Sequence, residues 1–241
     1  MLIALGKIDV KFLIEEMILI SKDMNQIHEF NKDNHGNFKH DNGWGIAYLD
    51  QQKKWKIIKS TKPIFEDPKI EKIKKIKTNL IIIHARKSKS EMSLNNTHPF
   101  TYNYLNEKIL FFHNGTLEQL IHFNNRYKLK GNTDSEQLFY SILSDLKNRD
   151  YLTGIKKNLN KYTKKNGSNI IFSLRDKLFI AVKDNEYPLY FNMYLGKNSN
   201  QIIVSSEILP HSKDLSWETI TENQILTLDH NKHLILKDKI K

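Results

Sequence analysis

No cysteine occurs among the 241 residues. That excludes disulfides, thiolate metal sites and a cysteine nucleophile within residues 1–241. Proline and glycine are sparse, at 5 and 9 residues, and no linker, repeat or low-complexity tract interrupts the chain. One domain over residues 1–241 is therefore expected, long enough to bury a core. No window approaches the roughly 18–20 apolar residues of a membrane helix. The opening MLIALGKIDVKF turns charged too soon for a signal peptide. A cytoplasmic protein without a membrane partner is the expectation.

What is abundant is lysine. With 38 Lys and Arg against 27 Asp and Glu, the formal net charge is +11. The lysines are densest at Lys53–Lys77 and Lys156–Lys165. In PKIEKIKKIK, Ile70, Ile73 and Ile76 recur every third residue with lysines between them, as in an amphipathic helix with a solvated face. Neither an aromatic RNP-like strand nor a GXXG loop accompanies the charge. The excess reads as solvated surface, and nucleic acid is not an expected partner. A hydrophobic content of 39% with 10% aromatics fits a folded globule.

Along the chain, LIAL reads as a first strand, and Asp9 caps a helix through VKFLIEEMILISKDMN. That helix is apolar on most sides and is expected between layers. After the polar loop NKDNHGNFKHDNG, WGIAYLD pairs with KWKIIKS, and Pro68 opens the lysine-rich helix. NLIIIHA and KILFFH read as buried strands. Thr133, with Glu136 three residues on, is a capping box for a helix whose apolar stripe is Leu138, Ile142, Leu143 and Leu146. SNIIFSL and KLFIAVKD flank a tight Arg175-Asp176 connection, followed by strands at PLYFNMYLG, QIIVSSE, QILTLD and HLILKD. This order suggests two sheets with helices packed outside them.

Four stretches place polar groups at strand or helix ends: HDNGWGIAYLD (40–50), HARKSKSEMSLNNTHPF (84–100), FFHNGTL (111–117) and GNTDSEQ (131–137). Taken alone, Asn114-Gly115 is a turn that stops its strand, since both residues tolerate positive φ. The turn is the favoured reading of the stretch alone; side-chain amide and backbone N–H could also hold two donors towards one point. His84 and Arg86 share one strand face. Asp134 suits the first turn of a helix.

Together and in this order, these stretches resemble the class II, N-terminal-nucleophile glutamine amidotransferases, in particular their small stand-alone bacterial and archaeal branch. The motifs cover residues 1 to about 145; VSSEILP and SWETI match by element order. The resemblance implies an α+β fold, a four-layer αββα sandwich of the N-terminal-nucleophile hydrolase type, and no cofactor or metal. It implies that Arg86 binds the α-carboxylate of the substrate, Asp134 holds its α-ammonium, and Asn114 and Gly115 form the oxyanion hole. His84, Trp44 and His98 would line or brace the substrate pocket. Asn42 stands where the branch carries an aspartate.

The family's nucleophile is an N-terminal cysteine whose own α-amine is the base. Here the chain reads MLIALG, and no Ser, Thr or Cys occurs before Ser21. Two readings stand. Leu2 replaces the cysteine, giving a silent ligand-binding or regulatory relative; or Met1 belongs to a CRML-like start whose cysteine lies upstream of Met1. The retained arginine, oxyanion pair and aspartate favour the second, because a silent protein has no chemical need for an oxyanion hole. The expected ligand is glutamine or another γ-glutamyl compound, and a separate synthase subunit would accept the ammonia. Asn31, Asp33, His35 and Gly36 imitate the start of a calcium loop, but Asn42 stands where the closing Glu belongs.

Overall fold

The computed structural model describes residues 1–32, 34–104, 106–146, 150–183 and 185–240. Its elements are β1 (Leu2–Gly6), α1 (Val10–Ser21), β2 (Trp44–Leu49), β3 (Trp55–Ser60), α2 (Ile70–Ile73), β4 (Leu80–Ala85), β5 (Phe100–Tyr104) and β6 (Glu107–Leu117). Then come α3 (Asp134–Asp145), α4 (Tyr151–Lys161), β7 (Lys165–Leu174), β8 (Lys177–Val182), β9 (Tyr194–Lys197), β10 (Gln201–Ser205), β11 (Ser216–Thr219), β12 (Gln224–Asp229) and β13 (Leu234–Lys239).

The strands form two antiparallel sheets. One runs β11-β9-β10-β1-β4-β2-β3 and the other β13-β12-β8-β7-β6-β5. Period-two alternation sorts their side chains into three cores. Ile3, Leu5 and Ile82 of the first sheet meet Leu110, Phe112 and Ile180 of the second in the central layer. Leu2, Ala4, Ile81 and Ile83 point the other way, onto α1 and α2. Phe111, Ile170 and Phe172 of the second sheet pack on α3 and α4. The result is the expected α-β-β-α sandwich. No helix among the described residues is long and apolar enough to cross a membrane.

Several local expectations are corrected. α1 is an outer layer, not an inner one: Val10, Leu13, Ile14, Met17 and Ile20 face the sheet while Lys11 and Glu15 are exposed. Asp9 does cap it, accepting from Phe12 N. The lysine-rich helix shrinks to the single turn of α2, although Ile70 and Ile73 are buried as their spacing requires. Thr133 caps α3, but the Glu136 carboxylate accepts from Lys130 and Gly131 N instead of closing a reciprocal box. Of PLYFNMYLG only the last three residues belong to a strand, β9 (Tyr194–Lys197).

Asn114-Gly115 does not end its strand. β6 runs on to Leu117 because β7 supplies partners throughout, Asn114 opposite Asn169 and Gly115 opposite Ser168. Gly115 has φ +142°, and a Cβ there would meet Gly167 O at 1.8 Å. The glycine permits a close strand approach, not a turn.

Candidate active site

β4 and β6 belong to different sheets, and their ends meet at one edge of the sandwich. His84 Nε2 lies 3.1 Å from Asn114 Oδ1. Burial, and then the positive charge of the chain's amino terminus, hold His84 well below the usual imidazole range. The ring is therefore neutral, and its Nε2–H donates to the amide oxygen. Asn114 is left with its NH₂ as the free donor end. Asn114 and Gly115 both border the same cleft.

One residue beyond β4, Arg86 is only 3% exposed. Its NH1 donates to Asn42 O, and its NH2 faces Ser90 Oγ and the carbonyls of Ser90 and Glu91. All these acceptors are neutral, and no ion pair to Arg86 occurs among the described residues. A buried guanidinium surrounded by dipoles alone keeps its positive charge without a paired anion.

Asp134 begins α3, and its Oδ2 accepts from Leu117 N at 2.7 Å, tying the helix start to the end of β6. The adjacent Ser135 Oγ meets His113 Nδ1 at 2.9 Å. His98 stacks on Phe112 with ring centroids 6.3 Å apart and an interplanar angle of 13°. Its ring lies 4.3 Å from that of His84. Neither ring nitrogen of His98 has a hydrogen-bond partner among the described residues, and burial holds its pKa well down. Gly45 allows this placement, since a Cβ there would meet His98 O at 1.7 Å.

The start of the chain is close by. Met1 is 1% exposed, and its amine donates to Ser206 Oγ at 3.1 Å. Burial lowers that amine from 8.0 to about 5, against the pull of Glu207. The same charge helps to depress His40, which burial brings down to about 4.

Arg86, His84, His98, Asn114, Gly115 and Asp134 thus border one cleft of about 880 Å³. Trp44 does not. Even-numbered positions of β2 face outward, so Trp44 is fully buried against α1 and α2 in the outer core. Sequence reasoning missed His40, His113 and a group of aromatic residues on the cleft, Phe30, Phe38, Tyr187, Tyr190 and Phe191. Two phenylalanines within an otherwise polar loop were the available signal. Among the described residues, no group of three or more His, Cys, Asp or Glu is arranged to hold a metal ion. Asp33 of the calcium-like loop lies outside the described residues.

The sequence profile described as "Glutamine amidotransferases class-II" matches residues 25–170, more than half of the chain. Over 138 residues the chain is 35% identical to an uncharacterised protein of Methanocaldococcus jannaschii, covering 55% of this chain and 38% of that one. Over 118 residues it is 31% identical to Escherichia coli YafJ, which carries the name of a glutamine amidotransferase, covering 47% and 46%. The chain thus spans less than half the length of these relatives. Among solved structures, the Bacillus subtilis glutamine phosphoribosylpyrophosphate amidotransferase matches with TM-score 0.69 and 16% identity, over 100% of this chain and 49% of that one. A Pseudomonas aeruginosa protein described as a predicted glutamine amidotransferase matches with TM-score 0.61 and 18% identity, over 85% and 90%. At these identities the structural matches concern the fold.

Proposed function

The chain belongs to the class II glutamine amidotransferases, and on that premise we propose that it hydrolyses glutamine or another γ-glutamyl amide, using a cysteine carried ahead of Met1. One observation carries the reading: Arg86, Asn114, Gly115 and Asp134 border a single cleft. Arg86 would grip the α-carboxylate through its planar fork, and Asp134 the α-ammonium. The γ-carbonyl then sits against Asn114 Nδ2 and the Gly115 N–H.

β1 runs antiparallel to β4 with Leu2 opposite Ile83. Continued two residues ahead of Met1, that register reaches a position opposite Arg86. A cysteine there would lose its thiol proton to its own α-amine and attack the carbonyl carbon of the γ-amide, with the oxyanion held by the two donors. The C–N bond breaks as the amine leaves with that proton. Water then attacks the thioester, releasing glutamate and restoring the thiol. The freed ammonia or amine passes to an acceptor, in the simplest case a separate synthase.

The second reading, a silent ligand-binding relative, is favoured by Leu2 and Ile3, which fill β1 with side chains that carry no nucleophile. The two are separated by a version reading Met-Cys-Arg ahead of Met1, with methionine removal verified by mass spectrometry. Glutamate release from a γ-glutamyl amide, abolished when that cysteine is alanine, is expected. Absence of release with the cysteine amine exposed leaves the silent relative.

A further inference from the structure

The proposed glutamyl-binding groups account for only part of the cleft. At about 880 Å³ it is near the upper end of the roughly 300–1,000 Å³ of sites that enclose drug-sized ligands, far more than one amino acid fills. The remainder is walled by aromatic rings from two segments remote in sequence. Phe30 and Phe38 stack with centroids 4.6 Å apart and 13° between planes. Tyr190 stands edge-on to both, at 5.0 and 5.2 Å, and Tyr187 lies 4.7 Å from Phe30. Phe191, 4.7 Å from Tyr190, packs over Gly167, whose carbonyl faces Gly115. The wall therefore adjoins the oxyanion segment.

This wall is held rigid. Glu29 latches the two segments, accepting from Leu189 N and Tyr190 N, each at 2.9 Å. The Asp23 carboxylate collects Gly36 N, Phe38 N, Asn31 Nδ2 and the His28 ring, fixing the loop that carries Phe38. Tyr190 OH is engaged by His40 Nε2 at 3.1 Å. Even so, Phe30 remains 36% exposed. Stacked rings kept open to a cleft, on a scaffold that prevents their collapse, form a preorganised apolar subsite.

We infer that the physiological substrate is a γ-glutamyl amide whose amine half carries an aromatic ring, seated on Phe30, Phe38 and Tyr190 while the glutamyl half occupies the Arg86 end. This rests on the γ-glutamyl reading proposed above. The chain beginning at Met1 carries no nucleophile on β1, so it holds such compounds unreacted and lets affinity be read directly. Calorimetric titration would compare γ-glutamyl-p-nitroanilide, γ-glutamyl-ethylamide and L-glutamine.

The anilide is expected to bind about tenfold or more tighter than the other two. Phe38→Ala and Phe30→Ala should each erode that ratio, and Arg86→Ala should weaken all three ligands. Circular dichroism checks that the variants fold, with Phe38→Leu standing in for a Phe38→Ala that does not. Equal affinities for the three ligands, all lowered by Arg86→Ala, would overturn the aromatic subsite while keeping the γ-glutamyl reading. Failure of all three to bind, or anilide binding indifferent to Arg86→Ala, defeats that reading and this inference with it.

Discussion

His84 Nε2 on one sheet and Asn114 Oδ1 on the other are 3.1 Å apart, so the amide that would face a developing oxyanion is oriented from across the sandwich. In the version carrying Cys-Arg ahead of Met1, Asn114→Ala should slow turnover by about 10²–10³, the usual cost of one oxyanion donor. His84→Leu should cost less, because the amide survives but loses its orientation. The double variant should be no slower than Asn114→Ala alone, a coupling of about 0.5–3 kcal/mol. Strictly additive losses would place the effect of His84 elsewhere.

Arg86 should govern binding, not chemistry. On the chain from Met1, Arg86→Ala is expected to weaken L-glutamine by about 10- to 150-fold, the range for losing hydrogen bonds to a charged group. Arg86→Lys should restore little, since an ammonium lacks the fork. Full recovery of affinity in the lysine variant would show that only net charge matters there.

Gly115→Ala should destabilise the fold. The substitution meets both a positive φ and the Gly167 carbonyl at 1.8 Å, and a cost of about 3 kcal/mol or more is expected. At about 2–4 °C per kcal/mol for a chain of this size, Tm should fall by roughly 6–12 °C in a thermal melt. An unshifted Tm would mean that β6 and β7 separate easily at this point.

In the chain beginning at Met1, the buried amine makes stability depend on pH. Its folded value of about 5 lies below its ordinary 8.0, so between those values the unfolded chain binds more protons and stability falls as pH falls. The full loss is on the order of 4 kcal/mol. Half-buried His40 and buried His84 and His98 add losses of the same sign at lower pH. Glu207, raised by burial, works in the opposite direction. Comparing urea midpoints at pH 8, 6.5 and 5 for free and Nα-acetylated protein isolates the amine, and the acetylated form should show the shallower slope. Parallel curves would show that the amine does not carry the effect.

The layers were legible in the sequence because LIAL, NLIIIHA and KILFFH carry unbroken apolar runs, the pattern of strands buried on both faces. α4 was hidden by its lysines, since Tyr151, Ile155 and Leu159 provide only a narrow apolar stripe. The course of β6 past Gly115 was not legible locally, because only the partner strand β7 decides whether Asn-Gly turns or continues. At the cleft, charged and amide groups were found from motif order. Trp44 was misplaced because strand parity, not proximity to the motif, determines which face it takes. The aromatic wall joins residues about 150 positions apart, as in the 3.1 Å contact of His40 with Tyr190, a pairing no local pattern encodes.

β1 occupies the middle of its sheet, with Leu2 paired to Ile83 on one side and to Ser205 on the other. β1 therefore finds one of its two neighbours only after some two hundred further residues have been made. Such distant pairing is slow to form. Until it forms, one edge of β1 has no partner strand. Once β10 docks, Met1 is sealed at 1% exposure.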